Sequence, residues 1–176
     1  MTKGSTISAL LCIAMFSGAV GSSMAQTTAG IPVIVDARNT VVGPAFGQGV
    51  ILSVQGSEVY VDLSHSADGI NYSATELSWG AFYSETFATT DCSGPPLIPA
   101  ANGGLTPTPF KPAIVVRNGN TVTLYIAGTS AASNQQYHSY GLPSSCSALS
   151  GTTLAYSVGI TVNNLTQLHP EPLHVR

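Results

Sequence analysis

Apolar and polar residues alternate along most of this chain, and a period of two predicts β-strands. Val59, Val61 and Leu63 alternate with polar neighbours, which is typical of a strand with one buried face. The turn residues 55–57, Gln-Gly-Ser, connect this strand back to the apolar stretch 50–54. Residues 50–63 are therefore predicted to form a β-hairpin.

A second hairpin is predicted around Asn118-Gly119, which lies between apolar stretches at 114–116 and 122–126. Asn and Gly both tolerate positive φ angles, and a type I′ turn demands them. We expect this dipeptide to form the turn.

The longest alternation covers residues 153–162, where the even-numbered positions are Leu, Tyr, Val, Ile and Val. An i, i+2 repeat of this length does not fit a helix. The pattern predicts one long strand whose even-numbered face is buried.

These strands, together with the lack of a convincing amphipathic helix, predict an all-β fold. Short hairpins and the absence of crossover helices favour antiparallel pairing. We expect a single domain at residues 26–163, either a β-sandwich or a partly closed barrel. Six prolines at residues 94–112 predict an irregular surface loop, and Pro170 and Pro172 predict an extended C-terminal tail at 164–176.

The first 25 residues have the three parts of a secretory signal peptide. Lys3 gives the positive start, residues 7–16 are apolar, and Ser23-Met24-Ala25 has small residues at the −3 and −1 positions. Ten apolar residues rise only about 15 Å, half the thickness of a bilayer core, so a membrane anchor is disfavoured. We expect cleavage after Ala25 and a periplasmic or extracellular location.

Charge is scarce in this chain, and its scarcity excludes some functions. Charged residues make up 7% of the sequence, against roughly 25% in an average protein. Without Lys3, four dispersed basic residues remain against eight acidic ones. They cannot neutralise a phosphate track, so nucleic acid is excluded as a partner. A basic amphipathic helix for membrane binding is also missing.

Two cysteines, Cys92 and Cys146, remain once the signal peptide is removed. In an oxidising compartment an isolated pair favours an intramolecular disulfide. Two buried thiols, or a bond to another chain, are the alternatives.

The sequence contains no recognisable catalytic or metal motif. His65, His138, His169 and His174 lack metal-ligand spacing, and no G-x-S-x-G elbow nominates a nucleophilic serine. We therefore assign no catalytic, cofactor-binding or metal-binding residue, and we expect a protein that is not an enzyme.

Aromatic residues are the remaining candidates for ligand contact. Trp79 and Tyr83 lie on the same face of the next predicted strand. An exposed aromatic ring on a β-surface can stack on a sugar. Core packing is the preferred interpretation of Trp79, because Leu77 and Ala81 share its face.

Several segments, in this order, resemble small exported β-rich proteins of unknown function from Gram-negative bacteria. They are DARNTVVG at 36–43, the hairpin 50–63, FYSETFATTDCSG at 82–94, the hairpin 115–128, SSCSALSG at 144–151 and PLHVR at 172–176. Asn39 stands where the first turn of that family usually has glycine, although Asn tolerates the same positive φ. The resemblance implies an exported protein with a cysteine pair, and it implies no activity.

The sequence therefore favours an exported, non-enzymatic structural or interaction protein of the cell envelope or extracellular space. A carbohydrate-binding module is the first alternative, and a hydrolase with an unrecognised site is the second. We expect no cofactor. The sequence does not identify a partner, and the candidates are a protein or a carbohydrate.

Overall fold

The computed structural model describes residues 30–68, 70–80, 85–100 and 109–176. The expected signal peptide at 1–25 lies outside the described residues, as does the middle of the proline-rich loop, 101–108. The elements below all belong to one compact unit, Ile31–Arg176.

The described residues form thirteen β-strands and one helical turn. They are β1 (Val33–Val35), β2 (Val41–Phe46), β3 (Gly49–Val54), β4 (Ser57–Asp68), β5 (Asn71–Trp79), β6 (Glu85–Phe87), β7 (Ile98–Pro99), β8 (Ala113–Asn118), β9 (Thr121–Ala127), β10 (Ser133–Leu142), β11 (Ser145–Tyr156), β12 (Val158–Val162), α1 (Leu165–Leu168) and β13 (His174–Val175). Among the described residues, no helix has the length and apolar character needed to cross a bilayer.

Six strands form an antiparallel sheet in the order β13-β1-β2-β3-β4-β5. Its outer strands meet at an antiparallel bridge between Leu77 in β5 and Leu173, which directly precedes β13. The backbone N–H of each leucine donates to the carbonyl of the other at 2.8 Å. The sheet is a nearly closed barrel, and the prediction of an antiparallel all-β fold is confirmed.

Two smaller sheets complete the domain. One has three strands in the order β12-β9-β8, and the other has four in the order β6-β10-β11-β7. In the four-stranded sheet, the β10–β11 hairpin is the longest strand pair. Strand β6 pairs with β10 and strand β7 pairs with β11, each over only a few residues.

One cluster of buried apolar side chains joins the barrel to the three-stranded sheet. Its fully buried members include Val50, Val59, Val122, Leu124, Ile126 and Leu173, all at 0% exposure. Val59 and Val61 of β4 and the even-numbered residues of β9 face this core, and Leu63 packs against it. A smaller cluster of Phe87, Cys92 and Val116 lies apart from it.

The β3–β4 hairpin has the predicted position and turn. Val54 pairs with Ser57, and the two turn residues between them, Gln55 and Gly56, have φ angles of 49° and 77°. Two positive φ angles are characteristic of a type I′ turn, whose twist matches that of the flanking strands.

The β8–β9 hairpin lies where the sequence predicts it, but its turn is displaced by one residue. Asn118 pairs with Thr121, so the central residues are Gly119 and Asn120. Gly119 has a φ of 59°. The Asn-Gly dipeptide therefore predicts the hairpin correctly. Because Asn118 pairs with Thr121, it belongs to strand β8, and the turn begins one residue later than expected.

The prediction of one long strand over 153–162 is wrong. The chain breaks at Ser157 into β11 and β12, which belong to different sheets. The backbones of Gly128 and Gly159 approach so closely that a Cβ on Gly159 would lie 2.5 Å from the Cα of Gly128. Leu154 is 43% exposed and Ala155 is buried, so the even-numbered face is not the buried one throughout.

Residues 164–176, expected as an extended tail, are part of the domain. They contain α1 and β13, and β13 pairs with β1. Between these elements the carbonyl of His169 accepts the indole N–H of Trp79 at 3.0 Å. The Glu171 carboxylate lies 2.5 Å from the Arg117 guanidinium. These contacts attach the segment to the barrel, and the two prolines do not prevent them.

The described part of the proline-rich loop is less irregular than expected. Ile98 and Pro99 form β7, which pairs with Tyr156 and Ala155 of β11. Pro99 occupies a sheet-edge position, where its missing N–H is tolerated.

Candidate functional site

Strand β9 presents polar side chains on the face opposite the core. Val122, Leu124 and Ile126 are fully buried, and strand alternation therefore turns Thr121, Thr123 and Tyr125 to the other face. On β8, Asn118 and Val116 pair with Thr121 and Thr123, so they extend this face across the hairpin.

A loop tied down by the disulfide lies against this face. Cys92 is bonded to Cys146 of β11, with their Cα atoms 5.7 Å apart. The predicted intramolecular disulfide is confirmed. Cys92 is 1% exposed and packs with Phe87 and Val116, so the bond holds the loop onto the outer face of β8. A disulfide is typical of an oxidising, non-cytoplasmic compartment.

Hydrogen bonds through Ser139, a fully buried hydroxyl in β10, fix the same loop. The backbone N–H of Cys92 donates to the Ser139 hydroxyl at 3.0 Å, and that hydroxyl donates to the Thr89 carbonyl at 2.7 Å. The Thr89 hydroxyl in turn donates to the carbonyl of Ser93 at 2.8 Å. The loop is therefore held by hydrogen bonds as well as by a covalent bond.

A cleft of about 400 Å³ lies between the loop and the sheet. We call it the disulfide cleft. Its polar lining comprises Asp91, Ser93, Asn118, Thr121, Thr123 and Tyr125. Two walls of independent origin meet here: the loop supplies the first two side chains, and the β8–β9 hairpin supplies the other four.

The disulfide cleft carries one negative charge among neutral groups. The Ser93 side chain and its backbone N–H, which lies 3.2 Å from Oδ1, hold the pKa of Asp91 below its usual range. Burial raises the pKa of Tyr125, so its phenol is neutral at physiological pH. The cleft therefore offers a carboxylate acceptor, an amide, hydroxyl groups and one aromatic ring.

Of the two aromatic residues nominated from the sequence, the structure describes one, Trp79, and that residue is buried. Trp79 is 1% exposed, and its ring lies in the main core. A buried ring cannot stack on a sugar, so the stacking role suggested for Trp79 is wrong. Tyr83 lies outside the described residues.

A hydrolase triad contains a His–Ser and a His–Asp contact. The structure has one contact of each kind, but they involve two different histidines. His138 Nδ1 lies 3.3 Å from the Ser150 hydroxyl, on the exposed face of the β10–β11 hairpin. His169 Nδ1 lies 3.5 Å from the carboxylate of Asp36, near α1. A triad requires one histidine that contacts both partners, and these two pairs divide the roles between them.

The buried carboxylate of Asp36 is explained by its hydrogen bonds within a turn. Its carboxylate is fully buried and accepts the backbone N–H groups of Arg38 and Thr40, both at 2.9 Å. This arrangement stabilises the turn between β1 and β2, in which Asn39 has the positive φ, 60°, that the resemblance anticipates.

A second polar cavity, of about 290 Å³, lies beside Arg117 and Glu171. Both charged groups already have partners. Glu171 Oε1 accepts the backbone N–H of Trp79 at 2.6 Å as well as the Arg117 guanidinium, which also donates to the Trp79 carbonyl at 3.1 Å. This cavity therefore offers fewer free hydrogen-bonding groups than the disulfide cleft.

Comparison of the chain with protein-family models, with curated proteins and with solved structures found no match in any of the three. Across the described ranges, no group of three or more His, Cys, Asp or Glu side chains is placed to hold a metal ion. The site is therefore interpreted from its own chemistry.

Proposed function

We propose that this protein is an exported, non-enzymatic binding protein of the cell envelope or extracellular space, and that its disulfide cleft binds a neutral carbohydrate. The observation that carries the proposal is the opposition of Asp91 and Ser93 on a fixed loop to Tyr125, Thr123 and Asn118 on a sheet.

The chemistry of the lining favours a sugar. Hydroxyl groups of a ligand need both donors and acceptors, and the Asp91 carboxylate, the Asn118 amide and the threonine hydroxyls supply both. A hydrogen bond to a charged acceptor is stronger than one between neutral groups. The Tyr125 ring offers an apolar surface for the C–H face of a pyranose, with its hydroxyl as a further polar contact.

The absence of a positive side chain among the six polar lining residues argues for a neutral ligand. An acidic sugar would meet the Asp91 carboxylate, whose lowered pKa keeps it ionised at physiological pH. Like charges at short range repel. Acidic oligosaccharides should therefore bind less well than neutral ones.

A loop that is already in place lowers the entropic cost of binding, because fewer side chains and backbone bonds must be ordered by the ligand. The disulfide and the Ser139 hydrogen bonds supply this order. The absence of a complete triad in the contacts described above supports binding without turnover.

The test is a screen of the secreted protein against neutral and acidic oligosaccharides, followed by calorimetric titration of the best neutral one. Asp91→Asn should weaken binding about tenfold, because one charge-assisted hydrogen bond is replaced by a neutral one. Thr123→Val keeps the side-chain shape and should weaken binding by a smaller factor.

Matched controls use the same chemical changes away from the cleft. Asp68→Asn alters an exposed carboxyl of β4, and Thr75→Val replaces the hydroxyl of an exposed threonine of β5 by a methyl group. Both should bind like the wild type. The proposal fails if no neutral oligosaccharide binds, or if Asp91→Asn and Thr123→Val bind as well as the controls.

A further inference from the structure

A further cavity, with a volume of about 440 Å³, lies at one end of the interior of the six-stranded barrel. We call it the barrel mouth. Every strand of the barrel sheet contributes to its lining, which includes Ile34, Ala45, Leu63, His65, Leu77 and Val175. It shares no lining residue with the disulfide cleft.

The lining is mainly apolar: of its nine residues, only Gln48 and His65 have polar side chains. Alternation along β4 places Leu63 and His65 on the same face as buried Val59 and Val61. Leu63 pairs with Trp79, which closes the barrel interior on the core side. The mouth is therefore a pocket floored by packed side chains.

Two polar side chains line the barrel mouth, Gln48 between β2 and β3 and His65 in β4. His65 pairs with Leu77 across the β4–β5 ladder and is exposed, whereas Leu63, two pairs further along the ladder, is half-buried. A ligand with an apolar body and one hydrogen-bonding group can thus place its body against the leucines and its polar group near the imidazole.

The closed sheet determines the kind of occupant. Leu77 and Leu173 exchange both backbone hydrogen bonds at the seam, so the rim there has no open strand edge to which a peptide could add. The pocket volume lies within the range of small-molecule sites, which are common in the mouths of β-barrels.

We propose that the barrel mouth binds a small apolar molecule that carries a single hydrogen-bonding group. Such a ligand covers the exposed parts of Leu63 and Leu77, and burial of apolar surface drives the association. The proposal is independent of the carbohydrate site.

The test uses N-phenyl-1-naphthylamine, a compact apolar fluorophore with one N–H group, as the probe for the secreted protein. Trp79 is the only tryptophan in the chain and pairs with a lining residue, Leu63. Energy transfer from Trp79 therefore reports that the probe is bound to the protein, and 1-decanol should displace it; the variants and spectra below locate the probe in this pocket.

Ala45→Leu fills the pocket with extra methyl groups and should weaken probe binding at least tenfold. Val41→Leu is the matched control: it also lies on β2 and adds apolar volume, but Val41 is 49% exposed and does not line the pocket. The control should bind the probe like the wild type.

A second measurement keeps the proposal falsifiable if Ala45→Leu does not fold. Methyl NMR spectra of the wild type should show shifts at Ile34, Leu63 and Leu77 on addition of 1-decanol, with Val122 and Leu124 unchanged. Absence of probe binding to the wild type, binding that Ala45→Leu leaves intact, or methyl shifts confined to other residues would each overturn the proposal.

Discussion

At the scale of single residues, the buried carboxylate of Asp36 makes stability depend on acid. Burial alone would raise its pKa, but hydrogen bonds from the Thr40 and Arg38 backbone N–H groups and the Arg38 guanidinium outweigh burial and lower it. A carboxyl whose pKa is lower in the folded state stabilises the fold above its unfolded pKa of about 3.9 and loses that contribution as pH falls.

Asp36→Asn should therefore lower the free energy of unfolding at neutral pH by about 1–3 kcal/mol. The variant should also lose less stability than the wild type between neutral pH and about pH 3. Urea unfolding at both pH values measures the two effects. Asp68→Asn, at an exposed carboxyl, should behave like the wild type, and equal acid sensitivity of all three proteins would contradict the assignment.

Glu85 should make the free energy of unfolding depend on pH in the direction opposite to that of Asp36. Burial raises its pKa to about 7, so the folded state keeps a proton that the unfolded state releases at lower pH. The free energy of unfolding should then fall as pH rises from about 4.5 to 7. Glu85→Gln should remove this slope, which unfolding curves at about pH 5 and about pH 8 can measure. A variant with an unchanged slope would count against the burial of this carboxyl.

Tyr125 shows what the sequence could and could not reveal about the site. Strand β9 alternates clearly, so its polar face could be predicted from the sequence. The facing wall could not be predicted. The sequence favours the bond from Cys92 to Cys146, 54 positions away, but it carries no signal that this bond and the Ser139 hydrogen bonds place Asp91 and Ser93 against β9.

At the scale of elements, the β3–β4 turn contains a residue poorly suited to its backbone. Gln55 has a φ of 49°, a region that Asn adopts more readily than other residues with a side chain. Gln55→Asn should raise the free energy of unfolding by about 0.5–1 kcal/mol, by relief of this strain. Gly56→Ala, at a φ of 77°, should lower it, and urea unfolding separates the two. A destabilised Gln55→Asn would exclude the strain argument.

The strand break at Ser157 shows why alternation alone misplaced an element. One alternating pattern continues across two sheets, because its β11 part and its β12 part cover different surfaces. The pattern consists of Leu154, Tyr156, Val158, Ile160 and Val162. The break follows from the approach of Gly128 to Gly159, which is a tertiary contact. Local hairpins such as β3–β4 were predictable because their turn and both strands are contiguous.

At the scale of the whole molecule, loss of the disulfide should affect ligand binding in the disulfide cleft but not in the barrel mouth. Cys92 packs in the small cluster with Phe87 and Val116, apart from the main core. Replacement of both Cys92 and Cys146 by Ser should lower the free energy of unfolding by about 2–5 kcal/mol. Where the variant remains folded, carbohydrate binding should weaken and fluorophore binding in the barrel mouth should persist.

Calorimetric and fluorescence titrations of this double variant measure both sites in one protein. Loss of fluorophore binding together with carbohydrate binding, in a protein that circular dichroism shows to be folded, would contradict the separation. The Ser139→Ala variant, which removes only the hydrogen bonds to the loop, should weaken carbohydrate binding with the disulfide intact.

The seam between β5 and β13 has a consequence for the order of events during synthesis. The ribosome delivers β1 to β12 before residues 173–175, so a growing chain has unpaired sheet edges at β1 and β5 until β13 emerges. The barrel cannot close before these residues have been made. Until then, both edges are open to pairing with other chains, and a chaperone that covers them would prevent it.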